Sequence, residues 1–359
     1  MVEQAQTRGR LAVTERVPVG QFGDVSMSDA IRYAVSAKTA PRPINRLREH
    51  PAPKPSMVWI PGGVFVMGSN RHYPEEGPAH HVRVDPFWMD RHLVTNAQFR
   101  KFVEETGHVT VAETARQSRD HPAATQEALA PRSLVFVKPQ QRVDLRDPGT
   151  WWVDMLGADW RHPYGPQSAI DDFDDHPVVH VAYPDAQAYA EWAGKVLPTE
   201  AEWELAARGG LEGAEFPWGN DPTPGRYMAN YWQGEFPWQN LVSDGYEGTS
   251  PVRAFPANGY GLYDMVGNTW EWTSDWYQAR HPEEKHKPCC IPLNPRGGKV
   301  RDSFDRYQPR IRIPRKVLKG GSYLCADNYC YRYRPAARLP QPLDSSACHV
   351  GFRCIIRIN

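Results

Sequence analysis

The chain has 359 residues, and its 42 Lys and Arg balance 42 Asp and Glu, so the formal net charge is zero. That balance excludes an overall field drawing it to nucleic acid or to an anionic membrane, and no apolar run approaches the roughly 20 residues of a membrane span. The unusual counts are 34 Pro, 28 Gly and 13 Trp. Pro and Gly interrupt helices and ladders while Trp buries large area, a combination that predicts a loop-rich fold around an aromatic core.

The N-terminus, Met1-Val2-Glu3-Gln4-Ala5-Gln6, is polar and lacks the apolar stretch of a signal peptide. Six cysteines in so long a chain do not make a disulfide scaffold. These features predict a soluble protein of a reducing, bacterial cytoplasm. Residues 1–56 read as an N-terminal extension: Pro51-Ala52-Pro53-Lys54-Pro55 is a stiff connector, and only Met27 to Ala37, with Ser28 as N-cap, has helical character.

The globular part is expected over 57–359. Met57 to Ser69 reads as two short apolar strands joined by Pro61-Gly62-Gly63, and Val82 to Met89 as one further strand. Thr95-Asn96-Ala97-Gln98 has a capping-box form ahead of Phe99, Phe102 and Val103, with Gly107 as the stop. From Glu113 to Asp175 periodicity is lost, so Trp151, Trp152 and Trp160 are expected on a long packed loop, and Asp171 to Asp175 on a solvated one. Pro184 to Ala193 predicts a second helix ended by Gly194. Thr199 and Glu202 cap a third that ends at Gly209-Gly210. The class is α+β with few helices and much coil.

Two oxygen-rich stretches follow, Asn230 to Pro237 with Asp244-Gly245-Tyr246, and Tyr263 to Trp272. Calcium takes six to eight oxygens, and irregular loops supply them from carboxylates, amides and carbonyls. Capped turns are the plainer reading. His80, His81, His176 and His180 stand at no recognised zinc spacing. Cys289 and Cys290 are neighbours, where a disulfide would be strained. Ser322 lacks a G-x-S-x-G elbow.

The last signal is Lys319-Gly320-Gly321-Ser322-Tyr323-Leu324-Cys325-Ala326-Asp327-Asn328-Tyr329-Cys330. A turn between Cys325 and Cys330 would let the sulfurs form a disulfide or hold a soft metal together. Two structural cysteines in an aromatic core is the alternative.

This segment, with Arg332 to Arg338 and Gly351-Phe352-Arg353-Cys354, closely resembles the formylglycine-generating enzymes, or sulfatase-modifying factors. Further signposts stand in the same order: Met67-Gly68-Ser69, Val94-Thr95-Asn96, Leu197 to Glu204, Asn258-Gly259-Tyr260-Gly261-Leu262, Gly267-Asn268 and Trp270-Glu271-Trp272. The resemblance implies a fold similar to C-type lectins. It implies an oxidase that converts a cysteine in Cys-x-Pro-x-Arg of an extended sulfatase polypeptide to formylglycine, using O2.

By the same resemblance Cys325 and Cys330 are the catalytic thiols, and Ser322 and Trp270 shape the oxygen pocket. A soft, two-coordinate Cu(I) suits such a thiol pair. A thiol–disulfide role for Cys330 stays open. Two calcium sites are implied: Asn230 and Asp244 with the Tyr231 and Tyr246 carbonyls, and Asp264 and Glu271 with the Gly267 and Thr269 carbonyls. Tyr329 to Tyr333 would line the peptide groove. Ala207 and Pro335 replace cysteines that pair in secretory relatives, which fits a reducing compartment. The rival reading is a non-catalytic lectin-like binding module, since the scaffold is widely reused.

Overall fold

The structure is a computed structural model that describes residues 52–116, 125, 129–283, 291–309 and 311–358. The helix expected over Met27 to Ala37, and Cys289 and Cys290, lie outside the described residues. Among the described residues no helix is long and apolar enough to cross a membrane.

The strands are β1 (Met57–Ile60), β2 (Gly63–Met67), β3 (His80–Val84), β4 (Phe87–Asp90), β5 (Arg132–Phe136), β6 (Trp152–Leu156), β7 (Trp270–Trp276), β8 (Arg315–Lys319), β9 (Arg338–Pro342), β10 (Val350–Gly351) and β11 (Ile355–Arg357). The helices are α1 (Asn96–Thr106), α2 (Tyr183–Trp192) and α3 (Glu200–Arg208). The strands form small sheets in the orders β1-β4-β11, β10-β7-β8-β9, β2-β3 and β5-β6.

Capping set the helix limits. Thr95 Oγ1 accepts from Gln98 N while Gln98 Oε1 accepts from Thr95 N, and Gly107 at φ 69° closes α1. The same reciprocal pair, Thr199 and Glu202, opens α3, and Gly209 ends it. Three expectations need correction. The strands flanking Pro61-Gly62 do not pair with each other: β1 pairs with β4 and β2 with β3. Val82 to Met89 is two strands, because Asp85-Pro86 breaks the ladder and Pro86 has no N–H to donate. The supposed loop from Glu113 to Asp175 contains the β5–β6 hairpin, whose Val135 is buried while its partner Val153 is exposed, too weak an alternation to read.

The core is aromatic, as composition predicted. Phe99 meets Trp160 edge-on at 5.2 Å, stacks on Tyr189 and touches Phe352, so α1, α2 and the segment before β11 share one cluster. Helix α3 differs, being buried along its whole length although it carries three glutamates and an arginine. Each charge has a partner: Glu200 with Arg338, Glu202 with Arg357, and Glu204 with Lys319 and Arg208. A buried charge persists only when matched in this way. Lys319 is the last residue of β8, so this ion network anchors the strand that leads into the thiol segment.

Candidate active site

The two cysteines lie on the crossover from β8 to β9. Gly320 (φ 94°) and Gly321 (φ 72°) turn the chain out of β8, and a Cβ on Gly321 would stand 2.8 Å from the Arg332 carbonyl oxygen. Only glycine fits there. Gly267 N donates to Gly320 O and Tyr323 N to Asn268 O, pinning the turn to the loop ahead of β7. One helix-like turn then returns the chain, with Cys330 N donating to Ala326 O at 2.8 Å.

That turn brings Cys325 Sγ to 3.2 Å from Cys330 Sγ. Both are free thiols, since a disulfide would close the gap to about 2.05 Å. Cys325 is 1% exposed, and Cys330 is half-buried at the surface end of the pair. Burial and the neighbouring sulfur push the Cys325 thiol well up. The hydrogen bond from Cys325, with Arg332 nearby, pulls Cys330 down to about 7. Cys330 is therefore the thiolate of the pair and Cys325 the donor. Ser322 N also donates to Cys325 Sγ at 3.4 Å, and Ser322 is fully buried. Trp270 is buried at the start of β7 in the core cluster that holds Cys325. The structure thus brings Ser322, Trp270, Cys325 and Cys330 together, with Tyr329 39% exposed beside them.

Two soft donors with no third protein ligand suit a monovalent, low-coordination metal and leave room for a substrate thiolate. Among the described residues no three His, Cys, Asp or Glu side chains converge into a metal-binding group.

The first oxygen-rich set also converges. Asn230 Nδ2 donates to Gly248 O, leaving Oδ1 buried without a partner. Asp244 Oδ1 accepts from Tyr246 N at 3.0 Å, and Oδ2 is likewise orphaned. Burial pushes the Asp244 carboxyl up to about 6. Gln233 joins them: its Nε2 donates to the Tyr231 carbonyl and its Oε1 accepts from Asp244 N. Unpartnered buried oxygens are a deficit that a cation would satisfy.

The second set is different. Asp264, at φ 53°, accepts from Arg253 N and is raised by burial to about 6. The expectation for Glu271 needs correction. Its carboxylate takes Arg353 Nε at 2.7 Å, Arg353 Nη2 at 2.8 Å and Trp203 Nε1 at 2.9 Å. With its charge already matched by a buried guanidinium, its side chain does not fit a calcium ligand here.

The histidines keep structural roles. His180 is fully buried, with Nδ1 2.7 Å from Ser133 Oγ and Nε2 2.9 Å from Pro163 O. Gln233 and Asn268 were not singled out as site residues. Asn268 Nδ2 donates to Ser250 O, and its Oδ1 accepts from Ser250 N. Both lie inside the oxygen-rich stretches, so the signal was present but not resolved to the residue.

A family model, the sulfatase-modifying factor enzyme 1-like domain, matches residues 44–358. The chain belongs to this family. The formylglycine-generating enzyme of Mycobacterium tuberculosis is 51% identical over 301 residues, covering 83% of this chain and 97% of that enzyme. A mouse relative named inactive C-alpha-formylglycine-generating enzyme 2 is 40% identical over 318 residues, covering 86% of this chain and 88% of that protein. Among solved structures, PvdO from Pseudomonas aeruginosa aligns with a TM-score of 0.57 at 22% identity, over 84% of this chain and 94% of that one, a likeness of fold alone.

Proposed function

We propose that this member of the family is a formylglycine-generating enzyme that oxidises the cysteine of Cys-x-Pro-x-Arg in an extended sulfatase polypeptide, using O2 and Cu(I). Family membership alone does not carry the activity, because an inactive relative aligns over most of the chain. The observation that carries it is the 3.2 Å approach of two free thiols, one fully buried and one reaching the surface.

Cys325 and Cys330 would hold the metal, which supplies the O2 activation that side chains perform poorly. The chain's own residues do the rest. Cys330 offers a thiolate near neutral pH, and Ser322 N–H fixes Cys325. Trp270 and Ser322 line the buried side and exclude water from the sulfurs. Tyr329 presents an aromatic face, stacked on Phe236 at 4.7 Å, to an incoming proline-containing segment. Hydrogen is removed from the substrate Cβ, and hydrolysis releases sulfide and leaves the aldehyde. Calcium at Asn230, Tyr231, Asp244 and Tyr246 is proposed as a structural ion, supported by the orphaned oxygens there. The free state of all four described cysteines supports a reducing, cytoplasmic setting.

A short peptide carrying the motif, incubated aerobically with copper-loaded protein, should gain an aldehyde that a hydrazine probe labels. Cys330→Ser should lose both tight Cu(I) binding and product. Full activity of metal-free Cys330→Ser would overturn the copper assignment. No aldehyde from the unaltered protein would favour the non-catalytic lectin-like module.

A further inference from the structure

A short segment far from the thiols in sequence grips the chain just after them. The 3₁₀ turn Pro74–Glu76 offers two successive carboxylates. Glu75 Oε1 accepts from Arg332 Nη2 at 2.7 Å, and Glu76 takes Arg334 through both terminal nitrogens at 2.6 and 2.9 Å. Between them the Tyr73 ring lies under the Arg332 guanidinium at 3.6 Å, and its hydroxyl accepts from Tyr331 N at 3.1 Å. The other amino group of that guanidinium, Arg332 Nη1, is directed at Cys330 Sγ, 3.9 Å away. Arg332 is thus held on three sides: by a carboxylate, by a ring face, and by the backbone bond that fixes its neighbour Tyr331.

A guanidinium so held is a charge at a fixed place. A pair of thiolates sharing one monovalent cation carries net negative charge, and a third thiolate from a substrate adds another. A cation fixed a few ångströms away offsets that charge at no cost of reorganisation. A free arginine at the mouth of a cleft would instead point into water.

We propose that Tyr73 and Glu75 are positioning residues that hold Arg332 as the fixed counter-charge of the sulfur centre. The proposal rests on the reading of Cys330 as the reactive thiol. Glu76 and Arg334 belong to the same clasp but are fully buried, so they carry its stability rather than its charge.

The test reads local potential directly and needs neither copper nor peptide. Metal-free full-length protein is alkylated at one pH with neutral iodoacetamide and with anionic iodoacetate, and labelling of Cys330 is followed by peptide mass spectrometry. Both reagents draw on the same thiolate fraction, so the ratio of their rates cancels it and reports the charge around the sulfur. Arg332→Gln sets the floor of that ratio. Tyr73→Leu, which changes no charge, and Glu75→Gln should each lower the iodoacetate preference by about threefold or more towards that floor. Removing a negative charge with Arg332 still in place would raise the ratio instead, so Glu75→Gln separates positioning from plain electrostatics by sign. An unchanged or raised ratio in both variants overturns the proposal. Melting curves identify a variant that merely fails to fold, and the other variant then decides. A protein that makes no aldehyde yet shows the fall would refute the proposed activity and leave the clasp standing.

Discussion

Two buried oxygens without partners, Asn230 Oδ1 and Asp244 Oδ2, make the charge of one loop depend on what occupies it. With no cation, burial holds the Asp244 carboxyl up at about 6 against an ordinary value of 3.8. A group raised in the folded state lends its stability below the unfolded value and loses it as pH rises through the folded one. Calcium reverses this, because it binds the charged form. Added calcium should therefore raise the melting temperature clearly at pH 7.5, and the rise should shrink as pH falls below about 6. An equal rise at pH 5 and pH 7.5 would remove Asp244 from the site. The thiols were legible from their turn-forming context alone, whereas the disposition of Glu271 was not. Its partner Arg353 lies 82 positions away, and only the folded chain sets a guanidinium against that carboxylate.

At the scale of elements, the crossover from β8 to β9 is shaped by glycines rather than by hydrogen-bonded regularity. Gly321 sits in the left-handed region with the Arg332 backbone closing on it, so Gly321→Ala must move that backbone and with it the Cys330 sulfur. The variant should lose activity by at least about tenfold and lower the melting temperature, the backbone strain alone costing on the order of 1–3 kcal/mol. Helices α1 and α3 were legible because capping is a local code, four residues long in each case. The β5–β6 hairpin was not, because its exposed face carries Val153 and Leu156, at 40% and 54% exposure, where a polar residue would have marked the alternation.

At the scale of the whole molecule, α3 works as a buried electrostatic hub. Burial pushes Glu204 up, yet Lys319 and Arg208 outweigh it and hold the carboxyl at about 2. Lys319→Met would leave Glu204 and Glu200 short of a partner and should destabilise the fold by about 3–5 kcal/mol, read by denaturant unfolding. A loss under about 1 kcal/mol would show the network to be redundant. None of these pairings was legible, since each joins residues from distant parts of the chain. The sheet order β1-β4-β11 places the strand Ile355–Arg357 on an edge prepared by Phe87–Asp90. During synthesis on the ribosome that edge must wait, open, until nearly all the described residues have emerged. Closure is thus a late event, and the nascent chain meets the chaperones of the exit tunnel before its sulfurs are assembled.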